Sequence, residues 1–119
     1  MKTRYQWMDT HLKRMVGAQF RTSLGNEILV FHYPHPAKRF FHTMGCPPLR
    51  IVVLDIDGTG QEILFDQIVP PWRIVPLPAG RIILEMDPAD DYQDILPEIL
   101  SAVAARQRID SHLLLGGTD

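Results

Sequence analysis

The stretch IVVLDIDGTGQEILFDQIV, residues 51–69, decides how the chain is read. Four apolar residues run into Asp55-Ile-Asp57-Gly58-Thr59, and a second apolar run returns from Gln61. An aspartate at the end of a buried strand can be a nucleophile toward phosphorus. Asp-Gly between two apolar runs is also a strong short hairpin signal, because a tight turn needs residues that accept positive φ.

The Asp-x-Asp-Gly-Thr pattern resembles the nucleophile loop of haloacid-dehalogenase-like phosphatases. That resemblance implies Asp55 as nucleophile, Asp57 as acid and base, a magnesium ion between them, and later carboxylates such as Asp90 and Asp91. It also implies a doubly wound parallel sheet, in which each parallel step takes a crossover of about a dozen residues or more. The residues after Gly58 do not suit it. GQEILFDQIVPPW (60–72) has β character and then prolines where a helix is required, and no lysine follows Lys38. The hairpin reading prevails.

Outward from this hairpin, short apolar runs alternate with turn residues. EILVFHY (27–33), RFFHT (39–43), RIVVLDI (50–56) and RIILEM (81–86) read as strands. RIVVLDI is apolar at both parities, as in a strand buried on both faces. Pro34 and Pro36 predict a break that makes 27–33 and 39–43 a hairpin, and PPWRIVPLPAG (70–80) predicts an extended loop, since proline cannot donate to a ladder. Residues 11–20 suggest one or two helical turns, with Leu12, Met15 and Val16 on one side. After Met86 the pattern changes. Asp87 and Pro88 suit a helix start, and Ile95, Leu96, Ile99, Leu100 and Val103 recur at helical spacing. Pro97 inside that run predicts a kink. Strands followed by one helix predict an α+β fold with an antiparallel sheet.

The segments RMVGAQFR (14–21), EILVFHYP (27–34), RFFHTMGCPPLRIVVLDIDG (39–58) and RIILEM (81–86), with PPWR (70–73), resemble the small prokaryotic family catalogued as domain of unknown function 192. The resemblance covers about 14–87 and implies a compact, mostly antiparallel β domain of barrel or sandwich type. It implies no reaction. The family's Trp-Met-Lys-Asn-Thr is here Phe41, His42, Thr43, Met44 and Gly45, and its Pro-Leu-Asp is Pro48, Leu49 and Arg50, so its polar positions differ.

Several residues invite a chemical reading. Trp72 in the proline-rich loop can stack on a ligand or plug the open end of a barrel, and Arg73 beside it can bind carboxylate or phosphate. Arg39, Arg50 and His42 lie nearby if the strands pair as read; otherwise the arginines pair with Asp55 or Glu62. His32 and His42 would face each other across the expected hairpin, with His35 at its turn, but their spacing matches no ligand set. Cys46 has no basic neighbour in sequence and reads as a structural thiol. The stripe from Ile95 to Val103 packs on the sheet or forms a dimer face, which SHLLLGG (111–117) would extend.

Composition bounds the rest. The chain has 119 residues, 45% hydrophobic, with a formal charge of −2 and one cysteine. That predicts one domain over 1–119, with a helical extension at 88–108. It predicts no nucleic-acid partner, no membrane span, no cofactor and no metal, and a cytoplasmic location. The expected protein is a small globular domain, leaning away from catalysis, with a small anionic or polar ligand near Trp72, Arg73, Arg50, Arg39 and His42. Dimerisation or partner binding through the C-terminal helix is the alternative, and the Asp55 phosphatase the remote one.

Overall fold

A computed structural model describes residues 4–8, 18, 21, 23–57 and 60–116, with 57 and 109–116 described by their backbone only. Among the described residues five strands and one helix follow in order: β1 (Arg4–Trp7), β2 (Glu27–His42), β3 (Leu49–Asp57), β4 (Gly60–Val69), β5 (Ile74–Met86) and α1 (Leu96–Gly116). The strands form one sheet in the order β1-β2-β5-β3-β4. β1 runs parallel to β2, and every other neighbouring pair is antiparallel. The fold is α+β, as expected, but the sheet is not closed into a barrel. The expected helical turns at 11–20 fall largely outside the described residues.

Residues 51–69 form the β3–β4 hairpin, in which Asp57 pairs with Gly60. Gly58 and Thr59 lie outside the described residues. The other two strand expectations need correction. Residues 27–33 and 39–43 are not a hairpin but parts of one sixteen-residue strand. Pro34 and Pro36 are tolerated because β1 covers only Glu27–Val30, so beyond Val30 no described strand lies along β2's outer edge. Likewise the loop expected at 70–80 is strand from Ile74 onward, paired with β2. Its prolines are tolerated because β3 reaches only Ile82–Met86 of β5, and because the β2–β5 ladder is irregular around Ala37.

Each central strand is apolar at both parities because the sheet has a core on each face. Ile28, Val30, Val52, Leu54, Ile82 and Leu84 pack with Ile95, Leu96, Ile99 and Val103 of the C-terminal segment. Leu29, Phe31, Ile51, Val53 and Ile83 fill the opposite face. The same cluster holds Val75 and Leu77, from the far half of the β2–β5 ribbon, with Leu49 and Val69 at the base of the hairpin. The ribbon therefore folds back over this face, bending where its register slips, and Phe41 and Phe31 meet edge to face at 5.2 Å.

Asp87 does not cap the helix. Its carboxylate accepts from the Ser23 hydroxyl and from the Leu24 and Gly25 amides, and so ties the turn before β2 to the end of β5. The helix starts at Leu96, with Pro97 in its first turn, where the missing N–H has no helical partner to lose. That position removes the reason for a kink.

Candidate functional site

The ribbon ends in a tip built on Thr43. Residues alternate faces along β2, so Phe41 and Thr43 point inward while Phe40 and His42 point outward. Thr43 is fully buried. Its hydroxyl donates to the Pro70 carbonyl at 2.7 Å and accepts from the Arg73 amide at 2.9 Å. Its own amide donates to the Arg73 carbonyl, and its carbonyl accepts from the Trp72 and Cys46 amides. One side chain thus fixes the 70–73 turn. Thr43→Val keeps the shape and leaves the Pro70 carbonyl and the Arg73 amide without this partner. Leaving such groups unsatisfied predicts a loss of about 1–2 kcal/mol, measured by urea unfolding. Parent-like stability in that variant would mean the hydroxyl is not the anchor.

This anchorage holds Trp72 in an unusual state. Its φ is 63°, in the left-handed region that a bulky side chain adopts only under constraint, yet the side chain is 68% exposed. It does not plug a barrel end. Arg73 is exposed beside it, and one guanidinium nitrogen donates to the Trp72 carbonyl at 3.4 Å. His42 lies opposite Ile74, and its Nδ1 accepts from the Met44 amide at 3.3 Å. The structure thus brings Trp72, Arg73 and His42 together, three of the five expected site residues.

Arg39 and Arg50 are elsewhere. The Arg39 guanidinium donates to the Ala37, Gly80 and His35 carbonyls and lies 3.7 Å from the centre of the Tyr33 ring. It satisfies carbonyls that the irregular ladder leaves over. Arg50 makes a two-pronged pair with Asp66, both contacts 2.8 Å, donates to the Asp90 carbonyl, and lies over the Tyr92 ring. These bonds hold the Asp66 carboxyl below its usual range. Neither Asp55 nor Glu62 is the arginines' partner, because the register sets Arg50 beside β4 at Ile68, within reach of Asp66.

The remaining candidates have structural roles. Asp55 accepts from Arg81 at 3.1 Å and pins the end of β3 to β5. His32 and His42 lie ten positions apart on one strand rather than opposite each other, and no metal-binding group occurs among the described residues. Cys46 is half-buried and its Sγ donates to the Met44 carbonyl at 3.7 Å. Burial first, and the Glu85 charge second, push its thiol up to about 11. Such a thiol is a poor nucleophile at neutral pH. Ile95, Leu96, Ile99 and Val103 are buried under this chain's own sheet, with Leu100 partly buried beside them. The residues of 111–117 fall outside the described side chains.

Sequence reasoning missed Thr43. The signal for Thr43 was parity: a small polar residue two places after Phe41, on the inward side.

The fold has known counterparts. A protein of unknown function from Novosphingobium aromaticivorans DSM 12444 is similar at 22% identity with a TM-score of 0.59, over 71% of this chain and 63% of that one. A candidate transcription regulator from Sinorhizobium meliloti 1021 is similar at 17% identity with a TM-score of 0.55, over 70% of this chain and 67% of that one. The chain thus spans less than two thirds of the Novosphingobium protein. At these identities the likeness shows the fold alone. No protein-family model and no curated protein matches the chain.

Proposed function

We propose that this chain is a small non-catalytic binding domain that takes an anionic group at the Thr43-held tip, with Arg73 as the charge partner, Trp72 as the stacking surface and His42 beside them. The observation that carries this reading is Trp72, an exposed tryptophan held in a left-handed backbone by bonds to a buried threonine. Strain of that kind persists only where the surroundings enforce it, and it clusters at functional sites. A divergent member of the domain of unknown function 192 family is the lineage that fits, because its quoted segments 27–34, 39–58 and 81–86 fall on β2, β3 and β5. The name of the Sinorhizobium protein points to nucleic acid. The net charge of −2, with Asp87, Asp90, Asp91, Asp94 and Glu98 leading into α1, favours a smaller anion.

Inorganic phosphate, citrate and nucleoside phosphates, each tested by thermal shift, discriminate these readings. A ligand at about a hundred times its dissociation constant adds about 2.7 kcal/mol and raises the melting temperature by several degrees. The rise is expected to vanish in Arg73→Ala and in Trp72→Gly. The glycine is expected to leave the fold at least as stable, since glycine accepts this φ freely. A rise that survives both variants, or no rise with any of these anions, would overturn the reading.

A further inference from the structure

Phe40 and His42 of β2 pair with Pro76 and Ile74 of β5, so all four share the outward face of the ribbon. The inner face carries Phe41 and Val75 into the core. On the outer face Phe40 is 76% and Ile74 65% exposed, while at its end Trp72 is 68% and Met44 40% exposed. Four large apolar side chains open to water around one structural feature mark a contact surface rather than scattered exposure.

The charge around them has one sign. No aspartate or glutamate occurs from Ile28 to Leu54 or from Gln67 to Leu84, the two segments that build the ribbon and tip. Lys38 and Arg73 are exposed there. Arg39 donates only to carbonyls, so among the described residues no carboxylate balances its charge. The partner must therefore be anionic, and it must take a protruding apolar surface. The outer face lies opposite the core that Phe41 and Val75 enter. A flat, deformable interface receives exposed apolar side chains of this kind without a matching pocket. Strand addition is disfavoured because Pro34 and Pro36 interrupt the donors along β2's outer edge, where no described strand lies beyond Val30. A second copy meeting through the same face would bring like charges together.

We propose that the outer face of the β2–β5 ribbon docks onto an anionic phospholipid surface, with Phe40, Ile74 and Trp72 entering the headgroup region and Lys38 and Arg73 facing its phosphates. Shallow apolar insertion and basic residues reinforce each other at such interfaces, and tryptophan is at home there. This deepens the binding-domain reading, since it shares Trp72 and Arg73 and names the surface that carries the anion.

The test is flotation of the full chain with vesicles of phosphatidylcholine alone and of phosphatidylcholine mixed with phosphatidylserine. The protein is expected to float with the mixed vesicles only, and less at high salt. Arg73→Ala should weaken binding about fivefold, from the contribution of one basic residue near an anionic leaflet. Phe40→Ser combined with Ile74→Ser should weaken it on the order of tenfold or more by removing apolar burial, while the phosphate-induced thermal shift stays as in the parent. That double variant separates the two readings, because neither residue belongs to the anion site. Stabilisation by phosphate without vesicle binding overturns the lipid surface and leaves the anion site standing. Equal flotation with neutral vesicles, or vesicle binding that survives both sets of substitutions, also overturns it. The salt dependence of the parent chain tests the charge argument without any substitution.

Discussion

Glu85→Gln is expected to remove most of the fall in stability that the parent chain shows between pH 4.5 and pH 8. Glu85 lies opposite Leu29 and Ile51 in the ladder, on the face whose core contains Ile83, and is 6% exposed. No hydrogen bond to its carboxyl occurs among the described residues. Burial pushes the group up from 4.5 to about 7, against a smaller pull from Arg21. The sign follows from linkage. A carboxyl that binds its proton more tightly in the folded state favours folding fully below the unfolded value of 4.5. That advantage is lost as pH rises and is gone above about 7. The displacement is worth about 3 kcal/mol across the window, or roughly 10 °C in melting temperature for a chain of this length. Glutamine keeps the neutral shape at every pH. Its melting temperature relative to the parent should therefore climb from pH 4.5 to pH 8, while the other carboxyl groups titrate alike in both chains and cancel. Parallel stability curves for the two proteins would show that Glu85 is charged in the fold.

Gly80→Val is expected to destabilise the fold by about 3 kcal/mol, the upper part of the range for overpacking a core. Gly80 is buried where the β2–β5 ribbon bends. A Cβ there would lie 2.7 Å from Cγ1 of Val53, 3.0 Å from the Leu54 carbonyl oxygen and 3.3 Å from Cδ1 of Leu64. Val53 is β-branched and has few rotamers to offer. The Leu54 oxygen belongs to backbone that the ladder holds in place, so neither neighbour yields easily. Gly80→Ala should show a smaller version of the same loss, and Val53→Ala should relieve part of it, which makes the two substitutions non-additive. Urea unfolding measures all of these. A parent-like midpoint for Gly80→Val would mean that the ribbon does not approach β3 at this point.

Both sites show how parity along a strand is read. RIILEM was legible as a strand, yet the charge of Glu85 gave no hint of its burial, because the sequence does not say which parity faces water when both faces of a sheet are covered. The prolines misled for a related reason. Pro34, Pro36, Pro76 and Pro78 forbid ladder donation only where a neighbour would accept, and whether a strand has a neighbour is a property of the assembled sheet. Arg39 and Arg50 were placed beside Trp72 on the strength of a hairpin that does not exist. Arg39, in the single long strand, turns back onto the carbonyls of Ala37 and His35, and Arg50, in β3, meets Asp66.

What the sequence determined by itself was what period and composition can carry. It set the β3–β4 hairpin at 51–69, the apolar runs that become β2, β3 and β5, and the helical stripe from Ile95 to Val103 that packs on the sheet. Tertiary structure alone decided the rest. It folded the β2–β5 ribbon over one face, buried Glu85, crowded the space that a Cβ at Gly80 would fill, and set Thr43 beneath Trp72. These are contacts between residues distant in the chain. Local propensity has no term for them, and they exist only once the sheet order and its bend bring the segments together.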